Sequence, residues 1–177
     1  MAGGPNQEIR SAALGSPAVG SATAVKAAYT LLAGASPGIT AGITNPDAPR
    51  NVTVQGNAAG IVGNVVVHGT DYAGNVITET LALNATNLIS GNKAFRAVSS
   101  IDYPAKTNGS GDTVTVGTGA KLGLPAALPH DQVLSAFLGG VREATRPTVA
   151  TAADLASNTI TLNSALNGSA VLVDFYA

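Results

Sequence analysis

From Arg50 onward the apolar residues of this chain fall at every second position. "NVTVQG" sets Val52 and Val54 against Thr53 and Gln55. "VVVHGTDYAGNVITETLAL", residues 65–83, reads as a strand, a tight turn and a second strand. In the second strand Ile77, Leu81 and Leu83 share one face with Glu79, and Val76, Thr78 and Thr80 share the other. Asp71 early and Gly74 late in the connection suit a type I turn closed by a residue of positive φ. "KAFRAVSSIDYPA" puts Phe95, Ala97, Ile101 and Tyr103 on one side and Arg96, Ser100 and Asp102 on the other. "DTVTVGTGAKLGLP" sets Val114 and Val116 against Thr113 and Thr115. A period of two is the signature of a strand, and these runs are β-branched and bounded by Gly, Asn or Pro.

Other segments need arbitration. In "ATAVKAAYTLLAG", Val25, Tyr29 and Leu32 suit a helix, while Val25, Ala27, Tyr29 and Leu31 suit a strand; the context favours strand. "GASPGITAGITNPDAPR" holds three prolines, the last Pro49, and reads as a loop. "HDQVLSAFLGGVREA" has helical propensity, but Gly139-Gly140 stands where a hairpin would turn, so strand and turn are expected. In "NTITLNSALNGSAVLVDFYA", Ile160 and Leu162 face inward on one strand and Val171, Val173 and Phe175 on the next, with "NSALNG" joining them. Residues 1–22 are rich in Ala, Gly, Ser and Pro, with Pro5 and Pro17 opposing a helix.

The predicted architecture is therefore all-β: an extended N-terminal arm over 1–22 and one β-sandwich domain over 23–177, Ig-like or jelly-roll-like. Eight to ten short strands with turn signals every roughly 8–12 residues carry that expectation. Two facing sheets would bury the Val, Ile and Leu faces and leave the threonine faces outside.

Composition narrows the partners. The 177 residues carry nine Lys plus Arg against ten Asp plus Glu, and no basic block. A nucleic-acid footprint is missing. Only 11% of residues are charged, which points to a surface covered by copies of the chain or by a partner. With 4% aromatics, the core must rest on Val, Ile, Leu and Ala. Zero cysteine excludes disulfides, zinc–thiolate sites and a cysteine nucleophile. The N-terminus lacks the pattern of a secretory signal, and the longest apolar stretch, around "AVKAAYTLLAGA", is too short and polar to span a bilayer. No membrane partner is expected.

The search for chemistry returns little. His68 sits in a strand and His130 in "LPHDQ", each without a carboxylate at helical spacing, so both read as polar structural residues. The carboxylates are scattered; Asp71, Asp112 and Asp154 suit turn starts, and no calcium loop is present. "GTGAKLG", residues 117–123, lacks the Gly-Lys-Ser/Thr ending of a phosphate loop and reads as a glycine-rich turn between strands. Asn51, Asn84, Asn108 and Asn167 open glycosylation sequons but read as turn asparagines. No cofactor is implied and nothing asks for an enzyme. The hairpin tip offers Asp71, Tyr72 and Asn75 as candidates for partner contact, beside the plainer reading of a turn that serves only its own hairpin.

A set of phrases in fixed order carries a resemblance. They are P-R-N-V-T at Pro49–Thr53, G-T-D-x-x-G-N-x-I-T-E-T at Gly69–Thr80, K-A-F at Lys93–Phe95 and G-T-G-x-K-L-G-L-P at Gly117–Pro125, with "NTITLNSALNGSAVLVDFYA" as a closing hairpin. Over about Asn45 to Ala177 the chain resembles a family of tailed-bacteriophage virion proteins. The first 44 residues match less well. The resemblance implies a non-enzymatic structural protein, made in the host cytoplasm and carried in the virion. Its implied role is a capsid decoration, or cement, protein on the outside of the head. The implied partners are the major capsid protein and copies of itself, with a trimer favoured. The alternatives are a tail tube or baseplate component, and a carbohydrate-binding or hydrolytic module. The last needs an aromatic platform or a carboxylate pair, and the sequence holds no Trp.

Overall fold

The computed structural model describes residues 8–107, 109 and 111–176. They form fourteen strands: β1 (Ile9–Gly15), β2 (Lys26–Thr30), β3 (Ser36–Ile39), β4 (Arg50–Gly56), β5 (Val62–Thr70), β6 (Val76–Asn84), β7 (Ile89–Phe95), β8 (Ala97–Tyr103), β9 (Thr113–Gly123), β10 (Val133–Leu138), β11 (Val141–Arg142), β12 (Thr148–Ala150), β13 (Thr159–Thr161) and β14 (Val171–Tyr176). The one helical turn described is a 3₁₀ turn at Leu155–Ser157, whose capping Asp154 accepts the Ser157 N–H at 3.2 Å. With 52% strand and 2% helix the fold is all-β, built from antiparallel sheets in a sandwich arrangement.

Three sheets are present where two were expected. One runs β1-β14-β10-β11, a second β12-β13-β9-β4-β7 with β2 also on β9, and a third β3-β8-β5-β6. They enclose two apolar clusters. The first joins Val52, Val54, Val114 and Val116 to Val65, Val67, Leu81, Phe95 and Ile101. The second joins Leu122, Leu124 and Ile160 to Leu14, Val133, Val171, Val173 and Phe175. The long strand β9 serves both, giving Val114 and Val116 to one cluster and Leu122 to the other. Each fully buried aliphatic side chain contributes about 1.5–3 kcal/mol of transfer energy, so a core poor in aromatics is stable by number.

Several expectations are corrected. The strands holding Ile160 and Val171 do not form a hairpin: β13 pairs with β9 and β12, while β14 pairs with β1 and β10. Their inward faces still meet, across the second cluster. "GTGAKLG" is no turn but lies in β9. Its glycines are required by close approach: a Cβ on Gly117 would sit 2.0 Å from the Ser21 carbonyl oxygen, and one on Gly119 would sit 2.5 Å from the Asn51 side chain. "KAFRAVSSIDY" is two strands, ending at Phe95 and restarting at Ala97. β3 lies inside the segment read as a loop and pairs with β8 at Ser36–Tyr103 and Ile39–Ile101. The threonine faces are not all outside, since Thr53, Thr118 and Thr159 are buried. Asn51, read as a turn asparagine, is fully buried in β4; its amide donates to Ser90 Oγ at 2.8 Å and the Gly91 carbonyl at 3.1 Å. Asn108 lies outside the described residues.

Other readings agree. "SAFLGGVRE" is a strand, a Gly139-Gly140 turn with positive φ at both, and a return. The segment containing Tyr29 is a strand, with Tyr29 stacked on Tyr103 at 4.3 Å between ring centroids. Within the expected arm, Ile9–Gly15 is extended but is paired along β14 of its own chain. Residues 1–7 of that arm lie outside the described residues.

Candidate interaction surface

The hairpin tip between β5 and β6 is organised around Asp71, which is 2% exposed. Its carboxylate accepts the N–H groups of Ala73 and Asn75, each at 2.9 Å, and the Asn75 side-chain amide at 3.0 Å. The Asp71 N–H donates to the Asn75 carbonyl and the Gly74 N–H to the Asp71 carbonyl, with Gly74 at φ +89°. This is the expected Asp–Gly turn logic, and it consumes Asp71. The side chain is a brace for the turn and is withdrawn from any partner. Asn75 is exposed, though its amide is held by Asp71. Next to the tip Val76 stands 85% exposed.

Tyr72 turns back toward the molecule. It is half-buried and packs against the second cluster. With Arg96, Asp47, Pro49 and the Ala13–Gly15 end of β1 it lines an open groove of about 320 Å³. The hairpin of one sheet thus reaches the edge strand of another. Of the three candidate residues, Tyr72 lines this groove.

Below that groove Arg50 is 0% exposed. Its Nε donates to the Gly119 carbonyl at 2.7 Å, and Nη2 donates to the same oxygen. Nη1 donates to the Ala18 carbonyl at 3.0 Å and to Asp47 Oδ1 at 2.9 Å. The other Asp47 oxygen accepts the Ala18 N–H at 2.7 Å. Burial raises the Asp47 pKa, but the hydrogen bonds from Ala18 and Arg50 and the Arg50 charge together hold it below the ordinary carboxylate value. Asp47 and Arg50 thereby clamp the segment that follows β1 onto the central sheet.

The outer face of the β1-β14-β10 sheet is apolar at its two ends. Leu172 is opposite Ala13 on one side and Phe137 on the other, and Tyr176 is opposite Ile9. Leu134 is exposed on the same sheet. The middle of this face is polar but satisfied: Asp174 accepts the hydroxyls of Ser11 at 2.5 Å and Ser135 at 2.8 Å.

The structure also joins residues that sequence spacing kept apart. His68 Nε2 lies 3.0 Å from Asp102 Oδ2, and His68 Nδ1 lies 3.2 Å from Thr78 Oγ1. The second Asp102 oxygen accepts the Gly38 N–H at 2.7 Å. That bond, then the one from His68, lowers the Asp102 pKa below its ordinary value. Hydroxyl, imidazole and carboxylate in line is the ordering of a nucleophile, a base and its orienter. Here the His68 and Asp102 side chains are each 35% exposed on the strand face between β6, β5, β8 and β3, and they act as a cross-strand brace. The signal was present in part: His68 and Asp102 both sit on polar faces of alternating strands, but only the β5–β8 pairing makes them neighbours.

A third polar cluster seals the seam between sheets. Glu79, on the inward face of β6, accepts the Asn92 N–H at 2.6 Å and the Lys93 N–H at 3.3 Å from β7. Burial pushes the Glu79 pKa up, against those bonds and the charges of Lys93 and Lys121.

Among the described residues no three His, Asp or Glu side chains gather as a metal set, and no helix is long and apolar enough to cross a membrane. Phe95, Tyr103 and Phe175 are buried, so they supply no aromatic platform for a sugar. Comparison with known protein families, with curated proteins and with solved structures returns no match for this chain.

Proposed function

We propose that the chain is a non-enzymatic structural protein of a tailed-phage particle, a decoration protein that binds the outside of the head. One observation carries the reading: the β1-β14-β10 sheet sets exposed apolar side chains, Ile9, Ala13 and Leu172, on its outer face beside an edge strand whose far side has no neighbouring strand among the described residues. An open sheet edge beside exposed apolar side chains is a feature of proteins that bind neighbours. The ordered phrases over Asn45–Ala177 supply the particle context. The mechanism is mass action. A protein that binds only the assembled shell stabilises it by its binding free energy, multiplied over many copies.

Immunogold electron microscopy of particles of the encoding phage, with antibody to this chain, tests the proposal. Gold over heads is the expected result. Gold confined to tails overturns decoration in favour of a tube or baseplate role. Particles free of gold, with the chain also absent from their dissociated proteins, remove it from the virion.

A further inference from the structure

We propose that the groove between the β5–β6 hairpin and the end of β1 is a docking site for an extended acidic segment of a partner protein, with Arg96 holding a carboxylate and Tyr72 packing against the side chain beside it.

The groove is built where elements of different sheets meet. Strand β7 ends at Phe95 and β8 restarts at Ala97, so Arg96 stands between the two. Its N–H donates to the carbonyl of Thr70, the last residue of β5, at 2.8 Å. That bond fixes the Arg96 backbone next to the hairpin tip, two residues from Tyr72 along the chain of the partner strand. The other walls come from Ala13–Gly15 in β1 and from Asp47, Ala48 and Pro49 before β4.

Charge selects the occupant. Two charged side chains line the groove, Asp47 and Arg96. Asp47 is already engaged: Oδ1 accepts from Arg50 at 2.9 Å and Oδ2 from the Ala18 N–H at 2.7 Å. The buried Arg50 also balances its charge. Arg96 is exposed, and its guanidinium has no ion pair or hydrogen bond among the described residues. The groove therefore carries one uncompensated positive charge, shaped as a planar fork that matches a carboxylate. A single guanidinium is too little for a nucleic-acid backbone, where affinity rests on many phosphate contacts.

The walls select a protein segment. Tyr72 is half-buried and its hydroxyl has no described partner, so it offers an apolar ring and a free polar tip. Ala13, Leu14, Ala48 and Pro49 make the rest of the lining apolar. A carboxylate held at Arg96 thus has a place for an apolar side chain beside it. The volume, about 320 Å³, is at the small end for a binding cleft and suits a few side chains of an extended segment. Tyr and Arg are also the residue types that most often anchor protein interfaces. Ala13 stands opposite Leu172 on the outer face of the β1-β14-β10 sheet, so the groove is continuous with the face proposed to meet the head.

The inference deepens the proposed function and rests on that reading only for the identity of the partner, a protein of the head. Its test uses the purified chain, so its failure leaves the labelling of particles untouched, and unlabelled particles leave the groove's chemistry untouched.

Nuclear magnetic resonance of the isotope-labelled chain reads the site directly. The probe is a capped peptide of alternating Glu and Pro, whose prolines keep it extended. The control is the same peptide with Lys in place of Glu. The expected result is perturbation of the Tyr72, Arg96 and Ala13–Gly15 amides by the Glu peptide alone. Arg96→Glu should weaken that binding by on the order of tenfold, the loss of a charge-assisted hydrogen bond. The side chain is exposed, and unchanged signals elsewhere in the spectrum would report an intact fold. The inference is overturned if the groove signals do not move, if the Lys peptide moves them equally, or if the Glu peptide seats elsewhere or ignores Arg96→Glu. Groove signals that shift with the concentration of the chain alone would make a second copy the occupant and overturn it as well.

Discussion

Arg50 holds Asp47 at 2.9 Å from inside the protein, its guanidinium fully buried while the carboxylate keeps contact with water. They stand three positions apart in sequence, and together they fasten three parts of the chain: Ala18 after β1, the turn before β4, and Gly119 in β9. Arg50→Ala would leave the Gly119 and Ala18 carbonyls without this donor. The expected loss is about 3 kcal/mol, near the low end for breaking a buried pair, since Asp47 stays hydrated. Urea unfolding measures it. Asp47→Asn should cost less, about 1 kcal/mol, because Arg50 keeps its two carbonyl acceptors.

The hairpin tip separates stability from contact. Asp71→Ala removes the acceptor of three hydrogen bonds in a buried position, and should destabilise the fold by about 1–3 kcal/mol. Tyr72→Ala should weaken attachment to the particle more than Asp71→Ala does, provided both are compared below their melting temperatures. Thermal melts and co-sedimentation with particles, run side by side, read the two effects.

Tyr103 carries a hydroxyl that is buried and makes no hydrogen bond among the described residues. Burial, with a smaller contribution from Tyr29, raises its pKa above the ordinary phenol value. The ring stacks on Tyr29, so the ring alone is what packing uses. Tyr103→Phe keeps that ring and removes an unpaired polar atom. It should raise stability by up to about 1 kcal/mol in denaturant titration.

Acid acts on the fold with two opposite signs. Asp47 and Asp102 have native pKa values below the ordinary 3.8, so the native state resists their protonation. Their contribution is present above that value and is lost as pH falls through the lowered native values. Glu79 is shifted the other way, above its ordinary 4.5. The native state binds its proton more readily, so stability declines as pH rises from 4.5 through the raised native value. Glu79→Gln keeps an acceptor for Asn92 and Lys93 and should flatten that decline while leaving acid unfolding below 3.8 unchanged. Unfolding free energies measured across this range would show both arms.

Much of the fold was legible in the alternation of residues 50–83, because a half-buried strand must turn every second side chain inward. Leu81 and Leu83 share one face, as their spacing predicts, and Val65 and Val67 join them in the core. Alternation reports a face, however, and not a neighbour. The spacing predicts Ile160 and Val171 inward, and both are buried, but which sheet each strand joins is a long-range choice that adjacent sequence does not encode. Gly117 and Gly119 look like turn glycines until Ser21 and Asn51 are placed against them. β3 was hidden by Pro37, which an edge strand tolerates because only one side needs its donors. At the hairpin tip the turn chemistry of Asp71 was legible, while its near-complete burial depended on the fold around it. His68 and Asp102 are 34 residues apart and became a pair only through the β5–β8 register.

The most direct test of the particle role is to add the purified chain to heads made by a phage deleted for its gene. Saturable binding at copies in the hundreds per head is expected, with heads that release their DNA at a higher temperature. Heads that bind none of the chain, or that bind it without any gain in heat resistance, would contradict it.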